Sequence, residues 1–360
     1  MPRSASGPAW FEDLFGFKES SSYSGNQAHF RMEGETMVCE AAPKHKRHFV
    51  GRWTTPSLSE LRAELAESAA DGGSGPIADA DGDGRGLDFR HLATPVGVEP
   101  LILDPANAGA VFQAASQFNA LEMTGPGVSP RRGVAIYIGD PTQGPKCALA
   151  CPGGTVFRNY LVEHGTNRGQ GDVQIDCLAD VGAIVGNADG DKYWKMQNGY
   201  CLPSGPGSIK RLATRLEAEP ALAAEAEAAL RVGVHWETQT RPPHEHRVCQ
   251  VYASALPVAY APSAKAADWE PFARLVLRAA YEATLAVGAI KALRAGGGER
   301  VAVFLTSLGG GAFGNRQEWI VDALKGALET HRDSPLDVTL VHYGTRVPNE
   351  WRGLSKSKPP

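Results

Sequence analysis

The sequence predicts a three-layer α/β/α fold built around a mixed, mostly parallel sheet. From residue 111 onward, apolar stretches of strand length alternate with amphipathic helical stretches. Strands that are apolar on both faces are typical of a sheet covered by helices on each side, because neither face then meets water. The 360 residues, 42% hydrophobic and 21% charged, are enough for one large α/β domain with additions or for two modest domains.

The predicted elements follow in order along the chain. Apolar, β-branched or small residues predict strands at residues 111–118, 133–139, 147–152, 248–260, 300–308 and 336–344. Helical spacing and helix-forming residues predict helices at residues 58–69, 211–231, 272–293 and 317–331. Pro220 is expected to break the second of these helices. Ser57 or Ser59 is the expected N-terminal cap of the first.

Residues 71–86 interrupt this pattern. They are rich in glycine and aspartate and almost free of apolar side chains, which is typical of a flexible surface loop or linker. We therefore predict an N-terminal extension at residues 1–94 that contains this loop, a principal domain at residues 95–348, and a C-terminal tail at residues 349–360.

Composition excludes several classes of partner. The net charge is -4 and no stripe of lysine and arginine is present, so no nucleic-acid partner is expected. No apolar stretch approaches the roughly 20 residues that span a bilayer, so no membrane partner is expected. The six cysteines are spread too widely for a disulfide scaffold, which favours a cytoplasmic protein with reduced thiols. Histidine and cysteine lack the spacing of a zinc finger, and neither a metal nor a cofactor is expected.

The most specific local signal is a glycine-rich stretch between the strand at 300–308 and the helix at 317–331. Four glycines lie within six residues: Gly309, Gly310, Gly311 and Gly314. Glycine permits close approach of the backbone to a ligand, and a helix N-terminus favours anions. Asn315 and Glu318 have the spacing of a capping box, which would fix the start of the helix. A diphosphate suits this chemistry; a glycine-rich connection that binds nothing is the alternative.

Polar residues also follow the strand at 111–118. Asn119 and Glu122 could read the edge of an adenine, and Phe118 could stack on its ring. The alternative is a strand-to-helix turn in which Asn119 is only a cap. A second loop with paired glycines, Gly153 and Gly154, follows the short strand predicted at 147–152.

Three aspartates farther along, Asp172, Asp176 and Asp180, are spaced at i, i+4 and i+8. On one helix they would share a face, and a functional site is one reason to tolerate their repulsion. A helix N-terminus, whose dipole favours acids, is the alternative. Asp191 comes just before an aromatic-rich stretch at 193–200 that could cover a pocket.

Four of these segments together resemble the macrodomain family. They are SQFNALEM at 116–123, GDPTQGP at 139–145, GGTVFRNY at 153–160 and LGGGAFGN at 308–315. The resemblance covers residues 95–348 and is to a divergent group most similar to a bacterial effector that removes ADP-ribose from arginine, including on ubiquitin, with several aspartates. The second loop also resembles that of poly(ADP-ribose) glycohydrolase, although the triple glycine of that enzyme is reduced to two and its Gln-Glu-Glu signature is absent.

The resemblance implies a macrodomain-like hydrolase whose partners are ADP-ribose and ADP-ribosylated proteins. The diphosphate loop would comprise Ser307, Gly309, Gly310, Gly311, Ala312, Phe313, Gly314 and Asn315, with the aromatic ring against the distal ribose. The other loop around that ribose would comprise Gly153, Gly154, Thr155 and Val156. The effector's aspartates do not align with single positions of this chain, so the catalytic candidates rest on spacing and location. They are Asp172 and Asp180, with Asp176 and Asp191 as substitutes. The alternatives are a module that binds ADP-ribose without cleaving it and a hydrolase of a free ADP-ribose derivative.

Overall fold

The computed structural model describes residues 9–71, 86–188, 190–262, 264–296 and 299–354. Most of the glycine- and aspartate-rich stretch predicted as a flexible loop, and the last six residues of the tail, lie outside these ranges.

The strands and helices are as follows in chain order. The strands are β1 (Phe30–Glu33), β2 (Thr36–Cys39), β3 (Arg47–Phe49), β4 (Trp53–Thr54), β5 (Asp88–Thr94), β6 (Val111–Ala115), β7 (Glu163–His164), β8 (Asn167–Arg168), β9 (Trp194–Gln197), β10 (Tyr200–Pro203), β11 (Gly233–Gln239), β12 (Arg247–Ala253), β13 (Val301–Thr306) and β14 (Leu336–Tyr343). The helices are α1 (Ala9–Phe15), α2 (Tyr23–Gln27), α3 (Leu58–Asp71), α4 (Glu99–Leu103), α5 (Gln143–Ala150), α6 (Pro152–Val156), α7 (Ala179–Ile184), α8 (Ser208–Ala218), α9 (Pro220–Ala229), α10 (Ala266–Arg294) and α11 (Gln317–Thr330).

Within the described residues, seven strands form the main sheet in the order β4-β11-β12-β6-β13-β14-β5. The five strands from β12 to β5 are parallel to their neighbours, whereas β11 is antiparallel to both β12 and β4. Helices α4 and α5 cover one face of this sheet, and α10 with α3, α8, α9 and α11 covers the other. The predicted three-layer α/β/α fold with a mixed sheet is therefore confirmed.

Alternation along the strands divides the core between the two faces. Val111 and Val303 belong to the large cluster around α10. Phe112 and Phe304 belong to the cluster beneath α4 and α5, where their rings stack with centroids 4.6 Å apart. Because successive strand residues point to opposite faces, each pair fixes the register of β6 against β13.

The helix predicted at 58–69 begins at Leu58, directly after one of the two serines predicted as its N-terminal cap. The hydroxyl of Ser57 accepts a hydrogen bond from the Glu60 amide at 3.1 Å, and the Glu60 carboxylate accepts one from the Ser57 amide at 2.8 Å. This reciprocal pair is a capping box, and Ser57 is therefore the cap between the two serines considered.

Two of the predicted strands are wrong. Residues 135–139 form a 3-10 helix, and residues 147–152 contain the end of α5 and the beginning of α6. In the second segment, the alanines and cysteines are small residues with no strong preference for a strand, and Pro152 suits the first turn of a helix. The strand predicted at 248–260 is also shorter, since β12 ends at residue 253.

Residues before 95 belong to the same sheet and core as those after it. Strand β5 pairs with β14 along its whole length, β4 pairs with β11, and α3 packs against α10. The predicted domain boundary at residue 94 therefore coincides with the end of strand β5, which is itself part of the main sheet. Among the described residues, no helix has both the length and the apolar character that crossing a bilayer demands.

Candidate functional site

A cavity of ~620 Å³ lies at the carboxyl edge of the parallel strands. Ala115 at the end of β6, Thr306 at the end of β13 and Tyr343 at the end of β14 all line it. Ligands of open α/β sheets bind at this edge, and small-molecule sites commonly have volumes of about 300–1,000 Å³. The cavity is therefore the candidate functional site, and it lies at the loops that follow strands, as the sequence indicates.

The glycine-rich loop after β13 forms one wall of the cavity. Ser307 lines it, together with four residues of the loop: Gly309, Gly311, Ala312 and Phe313. The backbone N–H groups of these four residues have no hydrogen-bond acceptor within the described part of the chain. Successive free amides form a concave site that favours anions. The structure thus places most of the predicted diphosphate loop at the cavity.

The remaining residues of that loop hold its shape. Asn315 donates from its side-chain amide to the Leu256 carbonyl at 2.8 Å, and its backbone amide donates to the Gly309 carbonyl at 3.0 Å. Gly314 has a positive φ of 70° and would bring a β-carbon within 2.8 Å of the Ala259 side chain. The capping box predicted at Asn315 does not form, because α11 begins two residues later with Arg316 as its cap.

The segment that ends in the first turn of α5 forms another wall. Asp140, Gln143, Gly144 and Lys146 line the cavity there. The Gln143 side chain accepts a hydrogen bond from the Ala115 amide and donates one to the residue 113 carbonyl, both at 2.7 Å. A β-carbon at position 144 would overlap the carbonyl oxygen of Ala115. The Gln-Gly pair therefore holds the start of α5 directly against the end of β6.

Of the described residues that line the cavity, two are carboxylates, Glu122 and Asp140. The Glu122 side chain is fully buried, with a carboxylate oxygen 3.5 Å from Arg158 Nη2. Burial raises the pKa of Glu122 to about 7; the charge of Asp140 adds to this rise, and Arg158 opposes it. Asp140 is partly exposed and accepts a hydrogen bond from the Thr142 amide at 2.9 Å. A carboxyl group that titrates near neutral pH is suited to general acid–base catalysis.

The four aspartates predicted to be catalytic do not line this cavity. Asp172 is exposed and forms an ion pair with Arg131. Asp180 forms an ion pair with Arg231, whose Nε lies 2.6 Å from the carboxylate. Asp191 is an exposed residue with a positive φ of 53°. The structure therefore does not bring these three aspartates to the cavity, and their catalytic role stays a prediction.

Asp176 accepts a hydrogen bond from the Leu178 amide at 2.8 Å, in the turn that leads into helix α7. Burial raises the pKa of Asp176. Because α7 begins only at residue 179, the three aspartates at i, i+4 and i+8 do not share a helix face. The spacing argument fails because residues 172–178 do not form a helix.

The second glycine segment lies in the interior and does not reach the cavity. All four of its predicted ribose contacts are buried: Gly153, Gly154, Thr155 and Val156. A β-carbon at Gly153 would lie 2.7 Å from the Cβ of His48, and one at Gly154 would lie 2.7 Å from the Thr238 hydroxyl. These glycines therefore serve close packing between helix α6 and strands β3 and β11.

The predicted adenine contacts are also mostly structural. Phe118 belongs to the large core cluster. Asn119 is fully buried, where its side chain donates to Gln174 at 2.8 Å and accepts from the Leu121 amide at 3.1 Å. Of this group only Glu122 lines the cavity.

Sequence reasoning missed two exposed side chains at the cavity. Tyr343 is 81% exposed and Val96 is 66% exposed, and Gly97 lies beside the tyrosine ring. Tyr343 is the last residue of β14, a strand that the sequence predicts correctly. The rule that ligands bind at strand ends could therefore have identified this tyrosine.

Three aromatic rings lie together at the cavity: Tyr200, Tyr260 and Phe313. Their centroids are 5.3 to 5.7 Å apart, and the Tyr200 hydroxyl donates to the Met123 carbonyl at 2.9 Å. Burial raises the pKa of Tyr200, and the neighbouring charge of Asp140 contributes to the rise. A carboxylate beside aromatic rings attracts cations, including a guanidinium.

Comparison with known proteins finds no matching family model and no matching curated protein. Solved structures that resemble the chain are poly(ADP-ribose) glycohydrolases. The enzyme from Deinococcus radiodurans in complex with ADP-ribose is 11% identical, with 84% of this chain and 94% of that chain covered and a TM-score of 0.42. The enzyme from Thermomonospora curvata is 13% identical, with coverages of 83% and 82% and a TM-score of 0.40. At these identities and TM-scores the similarity does not identify the family of this chain.

Proposed function

We propose that this chain is an ADP-ribosyl hydrolase that releases mono-ADP-ribose from protein side chains, with arginine, including arginine on ubiquitin, as the linked residue. One observation carries the proposal: the free amides of the glycine-rich loop and the carboxylates of Glu122 and Asp140 line the same cavity of ~620 Å³. The macrodomain-like motifs of the sequence suggest ADP-ribose as the ligand, and this combination of amides and carboxylates suits it.

In this proposal, the free amides of Gly309, Gly311, Ala312 and Phe313 hold the diphosphate. Lys146 is the one cationic side chain among the described residues that line the cavity, and it offsets the negative charge of the ligand. Tyr343 and Val96 offer an exposed apolar surface on which the adenine can stack.

The two carboxylates divide the chemistry at the distal ribose. Asp140, which is partly exposed, activates a water molecule for attack on the anomeric carbon and receives its proton. Glu122, which is protonated below a pH of about 7, donates a proton to the departing nitrogen as the glycosidic bond breaks. The oxocarbenium-like state forms as this bond breaks and before the water oxygen bonds to the anomeric carbon. Asp140 has not yet received the water proton at that point, so its negative charge stabilises the state.

The aromatic group supports arginine as the linked residue. Tyr260 and Phe313 line the cavity and are partly exposed, and the charge of Asp140 acts on the adjoining Tyr200. A guanidinium would gain both a cation–π contact and a charge partner there. A linked glutamate or serine would gain neither.

The test combines an ADP-ribose titration with release assays on arginine-, glutamate- and serine-linked substrates. Asp140→Asn should lower kcat by about 10²- to 10⁴-fold and leave ADP-ribose binding nearly unchanged. Asp172→Asn and Asp180→Asn are the matched controls, because both aspartates lie outside the cavity, and each should retain activity. Full activity of Asp140→Asn, together with loss of activity in the two control variants, would contradict the role of Asp140. It would support the catalytic aspartates predicted from the sequence.

A binding module that recognises ADP-ribose without cleaving it is the second candidate function. Its supporting observation is the buried ion pair of Glu122 and Arg158, which could serve the fold alone. Tight binding of ADP-ribose with no release from any of the three linkages, or release only from a free ADP-ribose derivative, would decide against the protein hydrolase.

A further inference from the structure

The carboxylate of Glu19 is bound to the segment that leads into the cavity wall. One oxygen accepts hydrogen bonds from the Val134 amide at 2.9 Å and from the Tyr160 hydroxyl at 2.6 Å, and the other accepts from the Ala135 amide at 2.7 Å. Trp10 adds a hydrogen bond to the Ala135 carbonyl at 3.1 Å. The N-terminal part of the chain therefore binds residues 134 and 135 through three hydrogen bonds. Two involve the backbone amides of these residues, and the third involves the carbonyl of Ala135.

The contact between Glu19 and residues 134–135 requires a glycine at position 133. Gly133 has a positive φ of 80°, and a β-carbon there would overlap the Glu19 carboxylate. Only glycine allows the chain both this backbone conformation and this close approach. The contact thus depends on the carboxylate of Glu19 on one side and on the absence of a side chain at Gly133 on the other.

The segment held by Glu19 connects both carboxylates of the cavity. It continues as the 3-10 helix Ala135–Gly139, and the amide of Asp140 donates to the Tyr137 carbonyl at 3.1 Å. The hydroxyl of the fully buried Tyr137 accepts a hydrogen bond from the Glu122 amide at 3.1 Å. One short helix therefore sets the positions of Glu122 and Asp140 relative to each other.

We propose that Glu19 is a positioning residue for the reaction, and that the N-terminal contacts of Trp10 and Glu19 are a structural part of the catalytic site. The inference rests on the proposed function for its effect on activity. Through residues 134–139, the Glu19 carboxylate fixes the place of Asp140 and, by way of Tyr137, that of Glu122. A small misplacement of such groups slows a reaction far more than it weakens binding.

The experiment uses the full chain with Glu19→Ala, which removes all three acceptor contacts, and Glu19→Gln, which keeps one acceptor oxygen. Glu12→Gln is the matched control, an exposed glutamate on helix α1. Glu19→Ala should lower kcat roughly 10- to 100-fold, with the ADP-ribose Kd changed less than about threefold. Amide hydrogen exchange of residues 134–142 should become roughly tenfold faster, and Glu19→Gln should show smaller changes in the same direction.

The exchange measurement keeps this inference separate from the proposed function. If the wild-type chain binds ADP-ribose but releases none, the proposed hydrolase is wrong, and the exchange rates still show whether Glu19 holds the segment. Unchanged exchange at 134–142, or faster exchange there with an unchanged kcat, overturns the positioning role. Should Glu19→Ala fail to fold, Tyr160→Phe removes one donor to the same carboxylate and should produce the same local pattern more weakly.

Discussion

Glu122 should make the stability of the fold depend on pH. Its carboxyl group is fully buried, which raises its pKa from 4.5 to about 7. Such a displacement corresponds to about 3 kcal/mol of folding free energy. Because the folded chain holds this proton more tightly than the unfolded chain, the contribution is fully present below about pH 4.5. It is lost as the pH rises through about 7.

Glu122→Gln tests this magnitude, since glutamine has nearly the shape of the protonated carboxyl group and cannot ionise. Urea unfolding of the wild type and the variant, followed at several values from about pH 4 to about pH 8, gives the difference in unfolding free energy at each pH. Relative to wild type, the variant should become more stable as the pH rises, by about 3 kcal/mol over the whole range.

Glu225→Gln is the control, because it removes an exposed carboxylate on helix α9. A difference between wild type and Glu122→Gln that stays constant over the whole range would refute the reasoning. It would mean that the carboxyl group at 122 has the same pKa in the folded and unfolded chains, because the charge of Arg158 cancels the effect of burial.

Three further predictions concern the reaction and the local geometry. If Glu122 donates the proton, kcat should fall as the pH rises above about 7, because the donor is then ionised; a flat pH–rate profile would contradict this role. Gly144→Ala should cost about 1–3 kcal/mol in urea unfolding and weaken ADP-ribose binding, whereas Gly139→Ala, where a β-carbon meets open space, should do neither. Ser57→Ala should cost about 1 kcal/mol of unfolding free energy, and an equal loss in Ser59→Ala would contradict the assignment of the cap.

The layers of the fold could be predicted because their signals are local. The predicted helix at 272–293 lies within α10, and the predicted strands at 300–308 and 336–344 contain β13 and β14. Each combines strong periodicity with a length that suits only one kind of element. The glycine-rich loop could be placed for the same reason, since it directly follows a correctly predicted strand.

The acids that line the cavity could not be predicted from aspartate spacing, because such spacing has meaning only within a known element. The i, i+4, i+8 pattern assumes a helix from residue 172 to residue 180, and the helix α7 begins at 179. The loop aspartate at 172 finds a partner in Arg131, 41 positions away. Likewise, paired glycines such as those at 153 and 154 indicate that something packs closely against the backbone. The sequence does not show whether that is a ligand or other residues of the protein; here it is other residues.

The error at residues 133–139 has the same origin and bears directly on the site. Valine and isoleucine in that segment favour a strand, whose amides would be satisfied by a neighbouring strand. Instead, the amides of Val134 and Ala135 donate to Glu19, more than a hundred positions earlier in the chain. A single carboxylate can thus replace a strand edge as the acceptor, and the chain after it is then free to turn as a 3-10 helix. Because that helix ends directly before Asp140, which lines the cavity, the same distant contact that makes the strand prediction fail also holds the segment that leads to the cavity wall.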